Sequence, residues 1–145
     1  MPDTAPAPSD DPASAHDGLV FLRVPADARY ARVVRIAVSA FAVRLHLPAA
    51  AVEDLRLAAD EALVLLLGAA TDDATDDGTD ANVVVSLEAR DDELPVLLRL
   101  QLDPEPATSD DDPAALARFR ELVPSTMAVD RVDRGAGRVE LRLPA

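Results

Sequence analysis

The chain has 145 residues, with 27 Asp and Glu residues against 14 basic ones, and a formal net charge of −13. This length is typical of one domain, and the 49% apolar residues are enough to build a hydrophobic core. The negative charge argues against nucleic-acid binding, which needs a clustered positive surface. No cysteine is present, so disulfides, thiolate metal sites and thiol catalysis are excluded.

The N-terminal residues 1–17 are rich in proline, alanine and aspartate. We expect a disordered acidic tail and not a signal peptide, because a basic segment followed by an apolar one is missing. No apolar run reaches the roughly 18–20 residues needed to span a bilayer. Residues 18–145 are therefore expected to form a single domain of a cytoplasmic protein that does not contact a membrane.

The first elements predicted after the tail are a strand and a helix. Leu19–Val24 is a short apolar run that predicts a buried strand. Residues 26–47 carry apolar side chains at helical spacing, which predicts an amphipathic helix. Three arginines lie on or near the polar side of this helix: Arg29, Arg32 and Arg35. We interpret them as a solvated face or, alternatively, as a surface that binds an acidic partner.

A second helix begins at Pro48 and is expected to end at Gly68. Alternating apolar residues then predict a hairpin of two strands, Asn82–Arg90 and Leu94–Leu102. After a loop, Ala114–Val123 has helical spacing, and a terminal hairpin closes the chain. The order β-α-α-β-β-loop-α-β-β predicts an α+β fold, in which a mixed, mostly antiparallel sheet is covered on one face by helices.

The second helix contains the stretch Leu-Arg-Leu-Ala-Ala-Asp-Glu-Ala at residues 55–62. Together with the order of elements and the apolar pattern of residues 115–143, this stretch resembles the anti-sigma-factor serine kinases. These are small bacterial regulators of the GHKL superfamily of histidine-kinase-like ATPases. The resemblance spans about residues 19–143 and implies a GHKL (Bergerat-type) sandwich.

In that family the helix carries Glu-x-x-x-Asn, which places a general base and a magnesium ligand one turn apart. The resemblance makes Glu61 the counterpart of the general base, whereas Leu65 stands in the position of the asparagine. Mg²⁺ takes oxygen ligands, which a leucine cannot supply. The alternative interpretation of Glu61 is a partly exposed helix residue paired with an arginine.

Two further nucleotide-binding elements of the family are altered. In the family's Asp-x-Gly-x-Gly motif the aspartate contacts adenine. The resemblance assigns this position to Asp103, but both glycines are gone, and Pro104 and Pro106 remove backbone N–H donors. The family's Gly-x-Gly at the next helix cradles phosphates. Residues 109–114 are instead Ser-Asp-Asp-Asp-Pro-Ala, whose charge repels phosphate. These departures predict a vestigial nucleotide site.

The resemblance and its departures predict an anti-sigma-factor-like regulator, a pseudokinase that binds a sigma factor or an antagonist protein. It would need no cofactor and catalyse no reaction. The alternative is an active serine kinase that uses ATP and Mg²⁺, with Glu61 as the base and Asp103 as the adenine contact. A third interpretation is a structural or dimerisation module, and the family resemblance also implies a homodimer as one form. No metal site is predicted, because His16 and His46 lack ligand spacing.

Overall fold

The computed structural model describes residues 18–72, 80–106 and 112–145. The predicted tail, residues 1–17, lies outside the described residues, as does most of the acidic segment that follows the second helix. The described strands and helices are, in chain order, β1 (Leu19–Pro25), α1 (Ala31–Arg44), α2 (Ala49–Asp72), β2 (Asn82–Ala89), β3 (Val96–Asp103), α3 (Pro113–Leu122), β4 (Ala128–Asp133) and β5 (Arg138–Leu143).

The five strands form one sheet in the order β1-β2-β3-β5-β4, and every pairing between described strands is antiparallel. The predicted α+β class is confirmed, but the sheet is antiparallel and not mixed. Two helices joined by a short link separate β1 from β2. Because such a helical hairpin returns the chain to the end of the sheet that it left, β2 runs opposite to β1.

The helices cover one face of the sheet. Along β2, β3 and β5 buried and less buried residues alternate, as expected for strands with one face in the core. The core is almost wholly aliphatic, and α2 contributes three alanines with no exposed surface, Ala58, Ala59 and Ala62. Small side chains on this face allow the backbone of α2 to lie close to the elements packed against it.

The first helix is shorter than the predicted range of residues 26–47. It is preceded by a separate 3₁₀ turn, Ala28–Tyr30, and it ends at Arg44. His46 follows in the left-handed region with a φ of 56°. The amide of His46 donates to the carbonyl of Val43, and the amide of Leu47 donates to that of Ala42. This is a Schellman motif, which ends the helix and reverses the chain into α2.

The prediction that the second helix ends at Gly68 is wrong, because α2 continues to Asp72. Leu66 and Ala69 on either side of Gly68 are buried at 0% and 3% exposure. Burial of this apolar segment outweighs the helix-breaking tendency of one glycine, which costs only about 1 kcal/mol relative to alanine. None of the helices in the described part of the chain is both long and apolar enough to cross a bilayer.

Gly68→Ala is expected to raise the free energy of unfolding by about 0.5–1 kcal/mol, because alanine favours the helix. A Cβ at this position would come no closer than 3.6 Å to Nη2 of Arg134, which is an ordinary contact. Gly137→Ala is the control and is expected to lower the free energy of unfolding. Gly137 has a φ of +63°, and a Cβ added there would lie 2.9 Å from Cβ of Leu102. Urea unfolding should show a higher free energy of unfolding for Gly68→Ala and a lower one for Gly137→Ala. Changes of the same sign in both variants would contradict this expectation.

Candidate functional site

A cavity of about 350 Å³ lies between α2, α3 and the turn that joins β4 to β5. The residues that decide its chemistry come from all three elements: Glu61, Leu65 and Gly68 from α2, Asp112 and Arg118 from the start and the middle of α3, and Arg134 from the turn. One predicted site residue, Glu61, is thus part of a genuine concave site.

The α2 wall of the cavity carries Glu61 and Leu65 one helical turn apart, so both face the same space. Glu61 is half-buried and makes no ion pair with another described residue. Leu65 is 5% exposed and belongs to the hydrophobic core. The position next to Glu61 is therefore apolar, and it offers no oxygen to a metal ion.

The α3 wall begins with a helix N-terminus that is already capped. Asp112 is the N-cap residue, and its Oδ1 accepts hydrogen bonds from the amides of Ala114 at 3.1 Å and Ala115 at 3.2 Å. Pro113, the first residue of the helix, has no N–H. The amides at such a helix start would otherwise be a natural phosphate site, but here a carboxylate of the chain itself occupies them.

The floor of the cavity includes Arg134, which is only 5% exposed. Its Nη2 lies 3.6 Å from the place where a Cβ of residue 68 would be, so the guanidinium packs over Gly68. Sequence reasoning missed Arg134, because an arginine in a Gly-rich hairpin turn resembles an ordinary exposed turn residue. No residue pattern signals this contact in the sequence, because Gly68 and Arg134 meet only in the folded chain, and an alanine at residue 68 would still make an ordinary contact with the guanidinium.

Among the described residues that line the cavity, two acidic and two basic side chains are present. Glu61 and Asp112 supply two carboxylates, and Arg118 and Arg134 supply two guanidinium groups. Among the described residues, no three His, Asp or Glu side chains converge on one point as metal ligands would. No hydroxyl or thiol lies among the described residues that line the cavity, so a nucleophile for Glu61 to activate would have to come from a bound substrate or water.

Asp103, the predicted adenine contact, lies elsewhere. It is the last residue of β3 and follows the buried Leu102, so the alternation of the strand places it on the outer face of the sheet. Its carboxylate forms an ion pair with Arg23 of β1 at 2.6 Å, and both side chains are about half exposed. Asp103 is not among the residues that line the cavity, and the structure does not bring it together with Glu61.

The three predicted partner-binding arginines lie on α1 and the 3₁₀ turn before it. Arg29 donates to Asp27; these hydrogen bonds lower the pKa of Asp27 and raise the pKa of Arg29. Arg35 forms a 2.5 Å ion pair with Asp60 of α2. Arg32 is exposed and pairs with no acidic residue in the described ranges. The three therefore differ in how far their charge is already compensated.

Comparison with known proteins does not identify a family for this chain. The chain matches no protein-family model, and a search of curated proteins finds no related sequence.

Two substitutions distinguish the stabilisation that comes from the hydrogen bonds of Asp112 from that of its negative charge. Asp112→Ala removes the acceptor of two amide hydrogen bonds and is expected to lower the free energy of unfolding by about 0.5–2 kcal/mol. Asp112→Asn keeps an oxygen acceptor and should lose much less. Urea unfolding of both variants measures the difference. Equal losses would mean that the charge of Asp112, and not its cap, is what stabilises α3.

Proposed function

We propose that this protein is a non-catalytic regulator of the anti-sigma-factor type, which acts by binding a sigma factor or an antagonist protein. The observation that carries this proposal is the capped start of α3, where Asp112 occupies the amides of Ala114 and Ala115. A triphosphate would need those amides, and it would have to displace a carboxylate while facing Glu61 in the same cavity.

The α2 wall supports the same proposal. Phosphoryl transfer depends on positioning a polyphosphate and on Mg²⁺ that neutralises its charge. Leu65 gives this wall an apolar side chain where the resembling family has its magnesium ligand. Asp103, the other residue expected to hold the nucleotide, is engaged with Arg23 on the outer face of the sheet. A chain that keeps the helix but lacks these contacts is suited to binding another protein.

Titration with Mg–ATP tests the vestigial site directly. Isothermal calorimetry with the full chain is expected to give no binding in the micromolar range. Micromolar binding that is lost in Arg118→Ala, a substitution inside the cavity, would overturn the proposal. So would transfer of radiolabelled phosphate to a serine-bearing antagonist that Glu61→Gln abolishes, because this is the signature of the active-kinase alternative.

Capture from the cytoplasm of the source organism tests the partner. The immobilised chain is expected to enrich a sigma factor or its antagonist, identified by mass spectrometry. The enrichment should be the same with and without Mg–ATP, and the same for Glu61→Gln, because the cavity takes no part in nucleotide chemistry. Enrichment of neither protein would favour the structural-module interpretation.

A further inference from the structure

Two opposite charges lie on different walls of the cavity between α2, α3 and the β4–β5 turn. Glu61 belongs to the α2 wall and Arg118 to the α3 wall, and both line the same space. In the described ranges, neither forms an ion pair with the other or with any further residue. The cavity therefore presents a carboxylate and a guanidinium that are too far apart to compensate each other directly.

The other two charged residues of the lining are already engaged. Asp112 accepts hydrogen bonds from the amides of Ala114 and Ala115. Arg134 is 5% exposed and already has a partner. A ligand would have to compete with these contacts to use either charge, whereas it can reach Glu61 and Arg118 without breaking an ion pair between described residues. The described lining thus offers a ligand one negative and one positive group.

Much of the remaining lining is apolar. Leu65 and Phe119 are 5% and 2% exposed, and Val64 and Ala115 extend the same surface. Small-molecule sites in proteins are cavities of roughly 300–1,000 Å³ that combine apolar surface with a few polar groups. At about 350 Å³, this cavity is at the lower end of that range. Its size and lining suit a small ligand that has one apolar group and few polar ones.

We propose that the cavity binds a single α-amino acid with an apolar side chain. Its ammonium group donates to the carboxylate of Glu61, its carboxylate accepts from the guanidinium of Arg118, and its side chain lies against the apolar wall. The path from one charged side chain to the other through the amino acid is about 8 Å, given hydrogen bonds of about 2.8 Å and standard bond lengths. A sphere with the volume of the cavity is about 9 Å across, so the ligand fits.

Ligands with a single charge, or with none, fit less well. A simple anion would be attracted by Arg118 but repelled by Glu61, and a simple amine would meet the reverse arrangement. A purely apolar ligand would cover both charges without pairing either, which costs free energy. An amino acid inside a peptide chain has lost one or both of its charges to peptide bonds. The unlinked zwitterion is the ligand that satisfies both walls at once.

Calorimetry with the full chain tests this ligand class. L-valine, L-leucine and L-phenylalanine are titrated separately, and at least one is expected to bind with a Kd below about 1 mM. The tightest of them is then compared with the two analogues that each lack one charge, which for L-leucine are 3-methylbutylamine and 4-methylpentanoate. Each analogue is expected to bind at least about tenfold more weakly, because a charge-assisted hydrogen bond is lost.

Variants of the chain assign each charge of the ligand to its wall. Glu61→Gln and Arg118→Ala are each expected to weaken binding of the amino acid about tenfold. Glu61→Gln should not weaken the analogue that lacks the ammonium group, and Arg118→Ala should not weaken the one that lacks the carboxylate. Arg120→Ala and Glu121→Gln are matched controls that should bind normally, since both residues are exposed on α3 or at its end and do not line the cavity. Thermal unfolding establishes that every variant is folded.

Three outcomes would overturn the proposal: no binding of any of the three amino acids at about 5 mM, an analogue that binds as tightly as the amino acid, and equal losses in Arg118→Ala and Arg120→Ala. The inference goes beyond the proposed function and does not rest on it. The proposed function fails through Mg–ATP binding, which is measured in a separate titration. A chain that binds both ligands would keep the amino-acid site and lose the vestigial nucleotide site.

Discussion

The packing of α2 is the constraint on which the other features depend. This helix contacts α1, α3 and strands β3 and β5, so its surface sets the spacing of both layers. The alanines Ala58, Ala59 and Ala62 allow close approach where α2 is fully covered. Where the helix meets α3 and the β4–β5 turn, Glu61 and Gly68 line the cavity instead. The same stretch of α2 therefore contributes one side to the core and another to the cavity.

Most of the fold could be predicted from the periodic spacing of apolar residues. Strands β2 and β3 could be predicted to within two residues, because alternation is enforced by one buried face. Features that depend on tertiary contacts could not be predicted in this way. The helix continues past Gly68 because Leu66 and Ala69 on either side of it are buried, and α1 stops at a Schellman motif built around His46 and not around a glycine. A sequence also does not show that Arg134 packs over Gly68, since these residues meet only in the folded chain.

The carboxylate of Asp112 occupies the start of α3, a place where an anion could otherwise bind. An uncapped helix N-terminus presents free amides and a positive dipole end, and a bound phosphate can satisfy both. Asp112 satisfies them from within the chain. A phosphate bound at the same place would have to displace the carboxylate of Asp112 from the amides of Ala114 and Ala115.

The surfaces of the molecule differ in how completely their charges are balanced. On the outer face of the sheet, Arg99 lies between Glu88 and Glu140, and Arg23 pairs with Asp103. Among the described residues that line the cavity, two carry carboxylates and two carry guanidinium groups. The outer side of α1 instead has aliphatic residues beside arginines, and Arg32 among them pairs with no acidic residue of the described ranges. Desolvating charges that are already paired costs free energy with little return. Arg32 differs in this respect from Arg29 and Arg35, because burying its guanidinium against another surface would break no ion pair with Asp27 or Asp60.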